Sequence, residues 1–240
     1  MAWYVGLMSG TSLDGVDGVL ARDDATDGPP LRAVAHASLP MPEALRAELL
    51  ALNRSGPDEL HRAALAANAI SELYALTVAR LLASAGVAAA DVAAIGAHGQ
   101  TVRHRPQAFD GIGYTLQLLN GALLAERTGI AVVCDFRSRD LAAGGQGAPL
   151  VPACHAAWFA RPGADIAVLN VGGIANLTLL RADGEVLGFD CGPGNLLMDL
   201  WCQRHQSGAH GDRRACATRR PADRLLKGPL AVRGPRPGDR

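Results

Sequence analysis

The sequence predicts a mixed α/β fold, and three patterns support this prediction. Two apolar runs, residues 3–7 and 16–20, flank a small polar turn, which is typical of a β-hairpin. Further along the chain, segments with helical periodicity alternate with short apolar strands, as in an α/β domain with a mixed sheet. A second hairpin with a glycine turn follows at residues 166–180. The two hairpins suggest two related halves, each opening with a glycine-rich turn.

The first half of the chain contains most of the predicted elements. In order, we predict a strand at 33–39, helices at 43–52 and 58–85, strands at 92–97 and 114–118, a helix at 121–128 and a strand at 130–134. Asp58 and Asn120 are the expected N-caps of the second and third helices, and Gly86 and Gly129 are their expected ends. We expect the strands at 92–97 and 130–134 to be buried because they are apolar runs.

The second half begins after a glycine-rich connector at residues 143–149. Here we predict a helix at 151–159, hairpin strands at 166–171 and 174–180, a strand at 186–189 and a helix at 196–205. From residue 206 onwards the periodicity is lost, and Arg, Pro and Gly recur throughout. We therefore expect residues 206–240 to be a disordered tail.

Composition narrows the class of protein. With 240 residues, 49% of them hydrophobic, the chain can bury a core and form one or two domains. We expect neither a membrane span nor a signal peptide, because no apolar run is long enough and no basic region precedes the apolar N-terminus. The five cysteines form no CxxC pair, and their number is odd. These features favour core thiols and a cytoplasmic location over disulfides or a zinc site.

The first hairpin turn carries groups that suit a nucleotide triphosphate. Gly10 and Gly15 permit positive φ and close approach of a ligand, and neighbouring hydroxyls and peptide N–H groups can bind phosphate. Asp14 and Asp17 could hold a hydrated magnesium ion. The turn is not a Walker loop, since no Gly-Lys-Ser/Thr sequence follows. An ordinary tight hairpin with capping hydroxyls explains the same residues equally well.

Other polar residues lie where predicted strands end. We expect ligand-binding groups to collect there, from Asp14, His98, Asp135 and Arg139. Asp190 also follows an apolar strand and precedes a glycine-proline-glycine sequence. Its carboxylate could accept a proton from an attacking water, or it could cap the helix that follows.

Several long motifs occur in one order along the chain. They are GLMSGTSLDG at 6–15, HGQT at 98–101, DFRSRD at 135–140, GGQGAPLVP at 144–152, LNVGG at 169–173 with Asn176, and GFDCGPGN at 188–195 with Met198 and Asp199. In these motifs the chain resembles the bacterial anhydro-N-acetylmuramic acid kinases, over roughly residues 3–205. Several motifs in the right order are far more specific than a single glycine loop.

The resemblance implies a two-lobed fold of the sugar-kinase, Hsp70 and actin type, which is ribonuclease H-like. It also implies an ATP- and Mg-dependent reaction. Water opens the 1,6-anhydro ring of anhydro-N-acetylmuramic acid, and the 6-hydroxyl is phosphorylated to give N-acetylmuramic acid 6-phosphate in cell-wall recycling. The implied partner is this small-molecule substrate, with no nucleic acid and no membrane, and the enzyme is cytoplasmic with a homodimer as the candidate assembly.

The resemblance also assigns roles to residues. Asp190 becomes the catalytic base. The implied ATP-binding residues are Gly10, Thr11, Ser12, Leu13, Asp14, Gly15, Val16 and Asp17 from the first hairpin, with Asn170, Gly172 and Gly173 from the other lobe. The implied sugar-binding residues are His98, Gln100, Asp135, Arg139 and Gln146. Asp14 is the candidate magnesium ligand.

Three features depart from the family pattern. Family members run well past 240 residues, so the division we expect is a first lobe at 3–150, the start of a second lobe at 151–205 and a frame-shifted or disordered tail at 206–240. The tail holds eight Arg and one Lys against three Asp, a composition that could bind nucleic acid, but a reading-frame accident explains it better. Leu119 also stands where the family tends to carry glycine.

Two other functions compete with the kinase. One is a hydrolase with Ser12, His98 and Asp190 as a nucleophilic triad, although the Gly-x-Ser-x-Gly elbow is missing. The other is an inactive remnant of such a kinase. Turnover without ATP would favour the hydrolase, and a chain without turnover under any condition would favour the remnant.

Overall fold

The computed structural model describes residues 2–23 and 31–195, together with Leu197 and Trp201. The chain divides into two compact units, Met1–Gly194 and Asn195–Arg240. All the strands and helices given below belong to the first unit. The predicted helix at 196–205 falls largely outside the described residues, and the predicted tail at 206–240 falls wholly outside them.

The larger sheet is mixed, as predicted. Its strands are β1 (Ala2–Ser9), β2 (Gly15–Asp23), β3 (Arg32–Pro40), β4 (Val92–Pro106), β5 (Gly113–Leu118) and β6 (Val132–Cys134). The order is β3-β2-β1-β4-β5, and β6 pairs with β4 as well. β4 runs parallel to β1 and β6, and the other pairs are antiparallel. The predicted hairpin at residues 3–20 is therefore confirmed. It consists of β1 and β2, which lie in the interior of the sheet.

Five helices accompany the strands in the described residues. They are α1 (Glu43–Ala51), α2 (Glu59–Ala85), α3 (Gly121–Thr128), α4 (Phe136–Ala142) and α5 (Pro152–Phe159). α2 packs across the larger sheet, where a Cβ on Gly18 of β2 would lie 2.7 Å from Thr77 and 2.9 Å from Leu81. Ile70 and Tyr74 of α2 are fully buried in the same core as β1, β2 and β4.

α2 also corrects the expectation that no segment is long enough for a membrane span. By length and composition alone, this helix could cross a membrane. Its apolar residues have a second explanation in the structure, since those that face the sheet form the core. Packing therefore explains the apolar residues of α2 that face the sheet, whereas Leu60, Leu65 and Leu76 are exposed.

Helix termini follow the local chemistry of the sequence in three of four predicted places. The Asn120 side chain accepts a hydrogen bond from Leu123 N at 3.0 Å, as an N-cap does. Gly86 and Gly129 end their helices in the left-handed conformation, with φ of +64° and +67°. Asp58 occupies the N-cap position of α2, as predicted, but its backbone is left-handed, with φ of +51°, and its side chain makes no capping hydrogen bond.

The smaller sheet has the order β7-β8-β9 and is antiparallel throughout. Its strands are β7 (Ile166–Val171), β8 (Ile174–Leu180) and β9 (Val186–Pro193), so the second predicted hairpin is confirmed. α5 packs against this sheet through a buried hydrogen bond of 2.9 Å between His155 Nδ1 and Thr178 Oγ1. A Cβ on Gly188 would collide with Pro152, so β9 passes close to the start of α5.

Three expectations were wrong, and one helix was not predicted. The predicted strand at 92–97 is longer, because β4 continues through the HGQT motif. The helix that was not predicted is α4, at residues 136–142. β6 is largely exposed, with Val133 at 54%, because it lies at an edge of the sheet. Cys134, Cys154 and Cys191 are exposed free thiols and not core thiols.

Candidate functional site

The hairpin turn between β1 and β2 rests on a buried polar anchor. Ser9 Oγ lies 3.0 Å from Tyr74 Oη and donates to Gly99 O at 3.2 Å. Because that bond uses the only hydroxyl hydrogen of Ser9, Tyr74 must donate to Ser9. Burial raises the pKa of Tyr74 to about 12, so it keeps this hydrogen. Ser9 thus fixes the base of the turn, and its hydroxyl hydrogen is not available to a phosphate.

The backbone of the turn differs from our expectation. Neither Gly10 nor Gly15 has a positive φ, and Leu13 takes that conformation instead, with φ of +53°. Gly15 is required for another reason, because a Cβ there would collide with Leu39 O. At Gly10 the nearest atom to an added Cβ is Ser12 Oγ at 3.8 Å, so the space in front of this residue is open.

The predicted ATP-binding residues separate into an exposed and a buried set. Thr11, Asp14 and Asp17 are exposed, and Ser12 is half-buried. Leu13 and Val16 are 3% and 0% exposed and belong to the core. Only the backbone of Leu13 and Val16 could therefore take part in binding a ligand at this turn.

The two carboxylates of the turn have different partners. Asp14 Oδ1 accepts a hydrogen bond of 2.7 Å from Ser12 Oγ. Asp17 Oδ1 lies 3.3 Å from His36 Nε2 on β3. Within residues 2–23 and 31–195, no group of three or more His, Cys, Asp or Glu side chains is placed to hold a metal. Asp14 would fit a magnesium ion that keeps most of its water and phosphate ligands, whereas Asp17 is engaged elsewhere.

His98 and Arg137 form the centre of a second polar cluster. His98 Nδ1 lies 2.7 Å from Gly99 O, and Arg137 Nε lies 2.9 Å from His98 Nε2. A carbonyl only accepts and a guanidinium only donates, so the hydrogen of His98 must be on Nδ1. Burial, reinforced by the nearby Arg137 charge, lowers the pKa of His98, which agrees with this neutral form.

Arg137 is also tied to the glycine-rich connector after α4. Its Nη1 donates a short hydrogen bond to Gly147 O, and Asp140 Oδ2 accepts from Gly147 N at 2.6 Å. Gly147 has a φ of +71°, and a Cβ there would collide with Leu141. The connector is thus held against α4 in a conformation that requires glycine.

Asp190 is brought towards this cluster from the smaller sheet. Asp190 is exposed. Burial lowers the pKa of Arg137, and the negative charge of Asp190 acts in the opposite direction and raises it. Burial and the Arg137 charge lower the pKa of His104, and the charge of Asp190 again acts to raise it. Asp190, Arg137 and His104 are therefore close enough to influence one another's charge.

A row of polar residues crosses the smaller sheet at the level of Asp190. Asn170 pairs with Asn176, and Asn176 pairs with Asp190, so the three side chains share one face. Thr178, two residues along β8, contacts His155 and shows that this is the face covered by α5. Asn176 Oδ1 is buried without a hydrogen-bond partner in the described structure.

The remaining predicted site residues are placed less centrally. Asp135, Arg139 and Gln146 are exposed at and after α4, near the Arg137 cluster in sequence. Gly172 and Gly173 form the turn of the second hairpin, where Gly194 N donates to Gly173 O at 2.9 Å. Gln100 is not exposed to a sugar at all, being 1% accessible beneath the first hairpin turn.

The geometry does not fit the alternative nucleophilic triad. Ser12 donates to Asp14, and both ring nitrogens of His98 are occupied by Gly99 O and Arg137. A serine nucleophile needs a histidine nitrogen within hydrogen-bond reach to take its proton. The contacts of these side chains therefore count against a Ser12-His98-Asp190 hydrolase.

Sequence reasoning missed Arg137 and His104 as members of the site. Arg137 lies within the DFRSRD motif, but the resemblance implies a sugar contact for Arg139, two residues later. Residues two apart on a helix point in different directions, but this short charged segment gives almost no periodic signal from which the helix could be predicted. Recognising α4 would have separated the half-buried Arg137 from the exposed Arg139.

Comparison with known proteins gives a clear family match. The family model "Anhydro-N-acetylmuramic acid kinase" matches residues 2–226, which extends past residue 205, where we expected the resemblance to stop. A protein of that name from Variovorax paradoxus is 66% identical over 207 residues, covering 84% of this chain and 54% of the relative. Its namesake from Bordetella petrii is 63% identical over 209 residues, covering 87% and 53%.

The chain spans about half the length of the curated relatives it matches. Among solved structures, YeaZ from Pseudomonas aeruginosa is similar with a TM-score of 0.32 and 17% identity, over 81% of this chain and 68% of that one. A likeness this weak adds nothing to the assignment of fold or function.

Proposed function

The chain belongs to the anhydro-N-acetylmuramic acid kinase family, and from this premise we propose that the protein is an ATP-dependent kinase of cell-wall recycling. It opens the 1,6-anhydro ring of anhydro-N-acetylmuramic acid with water and phosphorylates the 6-hydroxyl. The product is N-acetylmuramic acid 6-phosphate. We place the reaction in the cytoplasm, where exposed thiols such as Cys134 and Cys154 stay reduced.

The observation that carries this proposal is the position of Asp190. Its carboxylate is exposed, so water can reach it, and it lies within electrostatic range of Arg137 and His104. A general base must lie within hydrogen-bond reach of the proton that it removes, and an exposed carboxylate can reach a water molecule.

The chemistry assigned to Asp190 is proton abstraction. It takes one proton from a water molecule whose oxygen forms a bond to the anomeric carbon C1. The C1–O6 bond breaks, and O6 becomes the acceptor of the phosphoryl group that ATP supplies. Asp190 then returns its proton to solvent, so the sugar gains one water and one phosphoryl group.

The turn between β1 and β2 is the proposed site for the phosphates of ATP. The open space at Gly10 allows a phosphate to approach the peptide backbone, and the exposed Thr11 offers a hydroxyl. Asp14 would hold magnesium, which neutralises phosphate charge when bound. The glycine turn of the second hairpin, with Asn170, Gly172 and Gly173, is the proposed counterpart in a two-lobed kinase fold.

The proposed sugar site is the cluster around Arg137. His98 orients Arg137 and is not itself free for a sugar hydroxyl, since both of its ring nitrogens are engaged. Arg139, Asp135 and Gln146 are exposed nearby in sequence and remain candidates for the sugar hydroxyls and carboxylate. Assembly as a homodimer stays a prediction.

Replacement of the proposed base tests this function. We expect Asp190→Asn to lower kcat by on the order of a hundredfold or more, because general base catalysis is lost. ATP affinity, measured by calorimetry, should be nearly unchanged. Asp183→Asn is the matched control, because Asp183 is exposed in the β8–β9 turn and an amide oxygen can still accept from Glu185 N. Near-normal turnover by Asp190→Asn would rule out the assignment.

A further inference from the structure

Gln100 is a fully buried polar side chain that the sugar site does not use. It is 1% exposed, and its Nε2 donates to Gly10 O and to Thr101 O, each at 3.2 Å. Its Oε1 is buried and has no hydrogen-bond partner in the described structure. The amide nitrogen of Gln100 therefore donates a hydrogen bond to the hairpin turn, whereas its amide oxygen is buried without a donor.

An irregularity in β4 directs Gln100 towards the turn. Gly99 has a φ of +76°, and a Cβ there would lie 3.0 Å from Leu118 O, so only glycine fits comfortably. The pairing of β1 with β4 shifts register between Leu7 and Ser9, and Ser9 then pairs with Gln100. Because of this register shift, the Gln100 side chain reaches Gly10, the residue that follows Ser9.

The contact fixes the orientation of one peptide group. Gly10 O accepts from Leu13 N at 3.2 Å as well as from Gln100 Nε2. A trans peptide is planar, with its C=O and N–H pointing in opposite directions. Two donors on Gly10 O therefore turn the N–H of Thr11, an exposed residue, away from the buried amide of Gln100.

We propose that Gln100 is a positioning residue for the nucleotide, acting through Gly10 to present the Thr11 N–H to a phosphate of ATP. This inference rests on the proposed kinase function, and it replaces the expectation that Gln100 binds the sugar. A fixed N–H donor costs no reorganisation when an anionic oxygen arrives. A hydrogen-bond donor is needed at Gln100, and an apolar side chain of similar shape could not orient the peptide.

Because Oε1 of Gln100 has no hydrogen-bond partner, an experiment can distinguish a role in nucleotide binding from a role in stability. An apolar side chain would lose the two donated hydrogen bonds but would also remove an unpaired buried oxygen, and Gly10 O would keep Leu13 N as a donor, so the fold should tolerate it. Gln117 provides a matched control on the paired strand β5. Its Nε2 donates to Thr115 Oγ1 at 2.7 Å and Thr101 Oγ1 at 3.3 Å, and its Oε1 is likewise buried without a partner.

The experiment compares Gln100→Met with Gln117→Met in the full chain. Calorimetry with ATP and with ADP gives nucleotide affinity, thermal unfolding without ligand gives stability, and initial rates give the KM of each substrate. For Gln100→Met we expect nucleotide binding about tenfold weaker and a raised KM for ATP, with the KM for the sugar and the unfolding temperature retained. Gln117→Met should bind nucleotide as the wild type does.

Gln100→Asn is the second variant, because it keeps the amide but is one methylene too short to reach Gly10. It should weaken nucleotide binding in the same way. The proposal is overturned if both variants bind ATP within twofold of the wild type, or if only the KM for the sugar rises. Absence of nucleotide binding by the wild type would instead overturn the proposed function itself.

Discussion

At the scale of single residues, His98 orients Arg137 only while its Nε2 carries no hydrogen. Nδ1 donates to Gly99 O and Nε2 accepts from Arg137, so a second proton would remove the acceptor and set two cations side by side. Burial lowers the pKa of His98, and Arg137 lowers it further. The orientation of Arg137 therefore depends on a neutral imidazole at His98.

This geometry predicts how stability depends on pH. The unfolded chain titrates His98 near its ordinary pKa of 6.5, whereas the folded protein holds the pKa lower. The unfolded state therefore binds more protons below pH 6.5, and the contribution of His98 is complete above that pH and declines as the pH falls. In His98→Asn the free energy of unfolding should fall less steeply below pH 6.5 than in the wild type, as measured by urea denaturation.

His61→Asn is the control for that measurement, because His61 is exposed on α2. His104, whose pKa is also lowered by burial, contributes to the acid sensitivity that should remain in His98→Asn, together with carboxyl groups such as Glu59 whose pKa is lowered. Identical pH profiles for His98→Asn and the wild type would contradict the neutral, Arg137-bound His98.

At the scale of elements, the first hairpin uses two glycines for different purposes. A side chain at Gly15 would collide with Leu39 O of β3, so this glycine permits close packing of the strands. Gly10 faces open space, so no packing contact requires a glycine there. If the turn binds phosphate, the small size of Gly10 serves the ligand.

The same substitution at both positions separates the two purposes. We expect Gly10→Val to weaken ATP binding by about tenfold or more while the free energy of unfolding changes by less than about 1 kcal/mol. Gly15→Val should lose about 2 kcal/mol or more, because the collision is with the backbone. Calorimetry and urea denaturation measure both effects, and a destabilised Gly10→Val with unaltered ATP affinity would contradict the assignment.

Elements governed by local chemistry could be predicted from the sequence. Both hairpins, the long helix α2 and the ends at Gly86 and Gly129 follow from periodicity and glycine position. β4 was predicted too short because its second part is polar, and its pairing with β5 holds it in the sheet. α4 was missed because a short, charged segment gives almost no periodic signal.

At the scale of the whole molecule, the candidate site is assembled from distant parts of the chain. His98 and His104 come from β4, Arg137 from α4 and Asp190 from β9. Asp190 and His98 could be identified as site residues from the sequence motifs, but the contact of His98 with Arg137 could not be predicted from them. That contact depends on the tertiary placement of α4, which lies beyond any local pattern.

The burial of Gln100 is a second feature that only the assembled structure reveals. The family resemblance implies a sugar contact for Gln100, which lies in the HGQT motif after an apolar run. The register shift between β1 and β4 turns it inwards instead. Where the predictions failed, the cause was long-range pairing that overrode local chemistry.

The mass of the product formed from anhydro-N-acetylmuramic acid tests the central claim most directly. The protein is incubated with the sugar, with and without ATP, and the products are analysed by mass spectrometry together with the ADP released. We predict a product heavier than the substrate by one water and one phosphoryl group, formed with one ADP and only when ATP is present. A ring opened without ATP, or a phosphorylated sugar that keeps its anhydro bond, would contradict the proposed function.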